Sequence, residues 1–203
     1  MNNDDNQPSE NLRAAPARRT WFRRVWRVVV VGLLIVFGWV LGSELMANRI
    51  EVGDRAPEFT ATSQTGETIS LSGYRGRQTV VVYFYPKDNT PGCTTQACSF
   101  RDSYAEFTDA GAVVIGVSGD TSESHKEFAA SRNLPFLLVS DRDGELRKAF
   151  GVPTTFGIIP GRVTYVIDRE GIVRMKFNSQ LNPKRHIDEA LQMVKQLNRG
   201  TEA

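Results

Sequence analysis

Cysteine and histidine are scarce in this chain: there are two of each, Cys93 and Cys98, His125 and His186. The cysteines stand five apart and both histidines are distant from them in sequence. The four clustered ligands of a structural zinc site are therefore missing. Net charge is also scarce, only +2 over 203 residues. Arg13, Arg18, Arg19, Arg23, Arg24 and Arg27, set against Asp4, Asp5 and Glu10, give the first 27 residues a local net of +3, which leaves the rest at −1. A near-neutral body offers no electrostatic case for nucleic-acid binding. No internal repeat is present. Charge-free apolar runs are few, and the longest is Val28 to Gly42, fifteen residues.

That run follows the arginines directly. As a helix it spans only about 22 Å, short of a roughly 30 Å hydrocarbon core. Extending it from Val25 to Ala47 supplies the length, with Arg27 near one end, where it can snorkel, and Glu44 near the other. Trp21, Trp26 and Trp39 are suited to membrane interfaces. The expectation is a disordered basic tail over 1–24, a single transmembrane helix over 25–47 and a folded domain over 48–203. Six arginines precede the run and Arg49 is the first positive residue after it. The positive-inside rule then puts the N-terminus in the cytoplasm and the domain outside it, in the periplasm. The alternative is a cleaved signal peptide and a secreted domain, but no A-x-A stands at Val40-Leu41-Gly42. Arg18-Arg19 matches a twin-arginine signal only vaguely.

The domain alternates strand and helix patterns. Residues 54–76 hold turn formers between short apolar patches and suggest a hairpin. Thr79 to Tyr85 is an unbroken β-branched and aromatic run, as in a strand buried on both faces. Residues 94–109 suggest one helix, with Phe100, Tyr104 and Phe107 on one face. A second buried strand is expected over 112–117, and a helix through Ser131 opened by Asp120 with Glu123 as a capping box. A third strand over 135–139 and a short helix over 144–150 follow. Strands over 163–167 and 172–177 flank the turn Asp168-Arg169-Glu170-Gly171. A last helix opens at Asn182-Pro183. This order indicates an α/β sandwich.

The chemistry concentrates in Tyr85-Pro86-Lys87-Asp88-Asn89-Thr90-Pro91-Gly92-Cys93, which leaves a buried strand and enters a helix. Cys93 falls in the first helical turn, where backbone N–H groups are unpaired and the macrodipole is positive. Both favour a thiolate, the nucleophilic form of cysteine. Thr90 lies within reach of the sulfur or of an oxygen bound to it, and Pro86 and Pro91 stiffen the loop. These arguments give a reactive thiol and leave its substrate open, and an inert buried cysteine at a helix start remains an alternative. His125, at a polar helix start, is expected on the surface.

Pro86-x-x-x-Thr90-x-x-Cys93 resembles the signature of peroxiredoxins. The string YPKDNTPGCTTQACSFRD is similar to the Q-type, or bacterioferritin comigratory protein, branch of the AhpC/TSA superfamily. The resemblance runs over about 51–198 and includes GVSGDTSESHKEFAASRNLPFLLVSD and Gly161 to Asp168. It implies a thioredoxin-like α/β fold with an N-terminal extension. It also implies reduction of hydrogen peroxide or organic hydroperoxides without metal or flavin cofactor, re-reduction by a thioredoxin-like donor, and a monomer. In that frame Cys93 is the peroxidatic cysteine, Thr90 orients the peroxide, Pro86 shields the sulfur, and Arg162 faces the sulfur across the pocket. Gln96 stands where the branch commonly carries Glu. Cys98 matches the resolving cysteine. Five residues apart on an ideal helix, two Cα atoms are about 8.6 Å apart, whereas a disulfide needs less than about 7 Å. A Cys93–Cys98 bridge therefore requires residues 92–99 to unwind. A thioredoxin-type thiol–disulfide oxidoreductase is the nearest rival, but it uses C-x-x-C and this chain has C-x-x-x-x-C.

Overall fold

The computed structural model describes residues 26, 29–32, 50–155 and 158–201. The chain divides into two units, Met1–Ala47 and Asn48–Ala203. In the first unit the described residues, Trp26 and 29–32, are helical. The expected span from Val25 to Ala47 otherwise lies outside the described residues. Among the described residues, no helix is long and apolar enough to cross a membrane.

The second unit is built on strand β3, Thr79–Phe84, whose six residues are all buried. β3 pairs in parallel with β4, Ala112–Ser118, and β4 in parallel with β5, Leu137–Ser140. On its other side β3 pairs antiparallel with β8, Val163–Ile167, which pairs antiparallel with β9, Val173–Asn178. The sheet order is thus β5-β4-β3-β8-β9. A hairpin of β1, Thr60–Thr62, and β2, Thr68–Ser70, precedes it. Short strands β6, Thr154–Thr155, and β7, Ile159–Pro160, pair just before β8.

Successive β3 side chains alternate between two cores, because strand side chains alternate faces. Val81 and Tyr83 join one cluster, with Phe100 of α1 (Pro91–Asp102), Phe107 of α2 (Tyr104–Asp109), Phe128 of α3 (Ser122–Arg132) and Ile187 and Val194 of α5 (Arg185–Thr201). Val80, Val82 and Phe84 join the other, with Phe59, Ile69, Leu71 and Phe150. Phe150 follows α4, Glu145–Ala149. Burial of each such side chain contributes about 1.5–3 kcal/mol. Tyr83 stacks on Phe100 with centroids 4.6 Å apart. Beneath it, a Cβ on Gly116 would lie 2.7 Å from Tyr83 and from Leu138, so only glycine fits there.

Four sequence expectations are corrected. The helix expected over 94–109 begins at Pro91 and breaks at Ser103 into α1 and α2. The apolar stripe of Phe100, Tyr104 and Phe107 continues across that break and so conceals it. α3 is capped by Thr121, which accepts from the Ser124 N–H, and not by Asp120. The Asp120 carboxylate is instead taken by the Asp88 N–H and the Ser118 hydroxyl. α5 starts at Arg185 rather than at Asn182-Pro183, where Asn182 bonds the Ser179 hydroxyl. His125 is fully buried, not on the surface.

His186 of α5 is buried against β8. Its Nε2 lies 2.8 Å from the Ser179 carbonyl and its Nδ1 2.8 Å from Thr164 Oγ1. The carbonyl can only accept, so Nε2 carries the proton and Nδ1 accepts from the threonine. Burial, opposed by the Ser179 bond and reinforced by the Arg162 charge, pulls its pKa down to about 4. This neutral ring pins α5 to the strand that begins directly after Arg162.

Candidate active site

β3 ends at Phe84, and Tyr85 adds one more bond, from its N–H to the Val117 carbonyl at 3.1 Å. The chain then leaves the sheet, crosses a five-residue loop and enters α1 at Pro91. Proline is favourable there because its missing N–H would be unpaired anyway. Thr90 is the extended residue before the helix, with φ −78° and ψ 149°. Its hydroxyl does not cap the helix but donates to the Lys87 carbonyl at 3.0 Å, leaving its lone pairs free to accept. Its carbonyl takes the first helical bond, from the Thr94 N–H at 2.8 Å.

Cys93 is the third helical residue and is buried, in the cluster that includes Tyr83, Tyr85 and Ala97. Arg162, 4% exposed, reaches it from the start of β8: Nη2 donates to Cys93 Sγ at 3.3 Å. Arg162 Nη1 donates to Gln96 Oε1, one turn further along α1. The Arg162 Nε and Gln96 Nε2 groups are buried without a hydrogen-bond partner among the described residues. Gly92 makes room for this approach, since a Cβ there would lie 3.2 Å from Arg162 Nη2. A guanidinium held on the sulfur at the positive end of a helix stabilises negative charge at that atom.

Around this centre the structure adds residues that the sequence did not single out. Arg147 of α4 donates through Nη2 to the Tyr85 carbonyl at 3.0 Å and through Nη1 to the Gly161 carbonyl at 3.2 Å. It thereby ties the end of β3 to the residue before Arg162. Burial lowers its pKa against the opposing charge of Asp141. Asp88 is buried and accepts from the Tyr85 hydroxyl, the Ser124 hydroxyl and His125 Nδ1, each at 2.8 Å. Burial alone would raise its carboxyl pKa. The His125 bond and charge, with the Ser124 and Tyr85 bonds, outweigh it and hold it below the ordinary value. Gln96, which stands where the related branch commonly carries a glutamate, grips the arginine through its side-chain carbonyl. No local pattern marks Arg147, Asp88 or Gln96: apart from the Tyr85 hydroxyl, three residues before Asp88, their side-chain partners named here come from distant segments.

The expected site residues are thus partly assembled. Cys93 and Arg162 are in direct contact, Thr90 stands at the cap of the same helix, and Pro86 is half-buried in the loop. Cys98 lies half-exposed further along α1, and both thiols are free.

A buried thiol at a helix N-terminus, faced by a buried arginine, is a setting suited to cysteine nucleophiles, and the sheet and helices that carry it form a thioredoxin-like α/β fold. The model of the AhpC/TSA family matches residues 52–176, and this chain belongs to that family. The chloroplastic peroxiredoxin Q of Sedum lineare is 52% identical over 150 residues, covering 73% of this chain and 80% of that protein. Its counterpart from Arabidopsis thaliana is 51% identical over 152 residues, covering 74% and 70%. Among solved structures, peroxidoxin BcpB from Mycobacterium tuberculosis superposes with a TM-score of 0.68 at 34% identity, covering 73% of this chain and 99% of that one. PrxQ of Xylella fastidiosa gives 0.67 at 32%, covering 73% and 98%. The chain is a thioredoxin-dependent peroxiredoxin, an oxidoreductase with thiol peroxidase activity.

Proposed function

We propose that Cys93 is the peroxidatic cysteine, acting on hydrogen peroxide and organic hydroperoxides in antioxidant defence, and that Cys98 resolves the oxidised form. The observation that carries this reading is the bond from Arg162 Nη2 to Cys93 Sγ across 69 residues of sequence. The thiolate attacks the nearer peroxide oxygen and donates the electron pair that breaks the O–O bond. The sulfur becomes a sulfenic acid, and the alkoxide or hydroxide that leaves takes up a proton. Arg162 stabilises charge on the sulfur and then on the departing oxygen. The Thr90 hydroxyl, donating to Lys87 and free to accept, orients the peroxide O–H, and Pro86 limits water at the sulfur. No cofactor takes part.

Cys98 then attacks the sulfenic sulfur and water departs, leaving a disulfide within one chain, so that a monomer suffices. Both residues lie on the one continuous helix α1. At about 8.6 Å for five residues of helix, the bridge forms only if its first turns unwind. The test is one equivalent of hydrogen peroxide added to the full chain, followed by peptide mapping without reductant. The expected product is a Cys93–Cys98 peptide, with faster amide exchange over 92–99 that reverses on adding thioredoxin. In Cys98→Ser, a sulfenic acid at Cys93 should instead be trapped by dimedone. A bridge between two chains, or Cys98 staying a free thiol while turnover with thioredoxin proceeds, would remove the resolving role.

The arginine cluster ahead of the apolar run supports an uncleaved anchor over 25–47, with residues 48–203 extracytoplasmic. A reporter fused after residue 203 that works only in the cytoplasm should be silent, and its activity would refute that topology.

A further inference from the structure

The loop between Pro86 and Pro91 turns through a left-handed residue. Asn89 sits at φ +57°, in the left-handed region, and Thr90 folds its hydroxyl back onto Lys87. Four hydrogen bonds made by one residue, Asp88, fasten this turn to the body. The Asp88 carboxylate accepts from Tyr85 beyond the end of β3 and from Ser124 and His125 of α3. The Asp88 N–H donates to Asp120, beyond the end of β4, at 2.8 Å. His125 is fixed in turn, its Nε2 lying 3.2 Å from the Val139 carbonyl of β5. That contact occupies the nitrogen a general base would need, so the Ser124–His125–Asp88 cluster is not a hydrolytic triad.

We propose that the buried Asp88–His125 pair is a positioning device that sets the Thr90 hydroxyl against the peroxide at Cys93. The Thr90 hydroxyl is bonded to the carbonyl of Lys87, the residue before Asp88, so the bonds that hold Asp88 also hold the backbone turn that carries this hydroxyl. Asp88 touches neither sulfur nor peroxide and acts only through this turn. The inference rests on the role given to Thr90 above.

The test measures kcat/KM for hydrogen peroxide, the thermal midpoint and the rate of Cys93 alkylation by iodoacetamide, using the full chain. Asp88→Asn keeps the shape but replaces one acceptor oxygen by a donor. It is expected to lower kcat/KM about tenfold, the scale of a sub-ångström to ångström misplacement. Alkylation, which needs no aligned hydroxyl, should change less than about twofold. In a Thr90→Val background the same Asp88→Asn change should cost less than about twofold. Tyr85→Phe, which removes a single donor and is mild for folding, should show the same pattern at about threefold. If the Asp88 and Thr90 losses simply multiply, or if the loss tracks the thermal midpoint and alkylation, Asp88 is merely structural and the inference falls. If Asp88→Asn and Tyr85→Phe leave kcat/KM unchanged, it falls as well. An unchanged rate in Thr90→Val overturns the Thr90 assignment and this inference together, while leaving Cys93 and Arg162 untouched.

Discussion

Cys93→Ser is expected to abolish peroxide turnover while leaving the fold in place. The exchange swaps sulfur for a smaller oxygen at a site that is 2% exposed. The serine oxygen can still accept from Arg162, so the buried guanidinium keeps a partner and stability should move by no more than about 1 kcal/mol. Chemistry is another matter. A hydroxyl is scarcely ionised near neutral pH, even beside a cation and a helix N-terminus, and alkoxides are poor at peroxide O–O cleavage because the reaction needs a soft, readily oxidised nucleophile. Removing a covalent nucleophile elsewhere costs several orders of magnitude, and a fall of at least about 10³ in kcat/KM is expected here. The measurement is stopped-flow hydrogen peroxide consumption by the full chain with thioredoxin, alongside a thermal melt. A variant that melts like the parent and keeps about a tenth of its rate or more would show that another group attacks the peroxide.

How much of this centre could be read beforehand follows from which contacts are local. The strand Thr79–Phe84 announced itself because every residue is β-branched or aromatic, as burial on both faces demands. That Cys93 stands in a first helical turn was legible from its place between a buried strand and a helical pattern, although the helix starts at Pro91, three residues before that pattern begins. The distant partner of the sulfur was not legible from composition or spacing. Arg162 was implied by the resemblance to peroxiredoxins, and the structure puts its Nη2 on Cys93 Sγ. Gln96 and His125 show where sequence patterns give out. Gln96 reads as one more polar residue on a helix of weak amphipathicity, yet it is fully buried because Arg162 meets it there. His125 sits among Ser, Glu and Lys, which argue for solvent, but Asp88, 37 residues earlier, draws it into the core. A side chain whose burial depends on one remote polar partner leaves no periodic trace. The break at Ser103 escaped for the opposite reason, since the local apolar pattern continued through it.

Arg162→Gln is expected to cost nearly as much catalysis as removing one donor from an oxyanion site, about 10²–10³ in kcat/KM. The guanidinium makes two contacts at once, Nη2 on Cys93 Sγ and Nη1 on Gln96 Oε1. The rigid fork lets both be made without further loss of freedom. At 4% exposure the charge is little screened by water, so its attraction for negative charge on sulfur and on the leaving oxygen is larger than at a surface. Glutamine is too short and uncharged, and leaves the Gln96 carbonyl facing an amide where it held a cation. Arg162→Lys keeps the charge but offers a single point that cannot reach sulfur and amide together, so it should recover only part of the rate. The measurements are kcat/KM for hydrogen peroxide and the rate of iodoacetamide alkylation at Cys93, with the thermal midpoint recorded for each variant. Both rates should fall in Arg162→Gln, because both reactions lose the guanidinium that stabilises negative charge on the attacking sulfur, and the peroxide rate should fall further, because only that reaction also loses charge stabilisation on a departing oxygen. An equal fall in the two would confine Arg162 to supporting the attacking sulfur. A rate within about threefold of the parent would mean that the contact across the pocket is structural and that the helix N-terminus alone supports the chemistry.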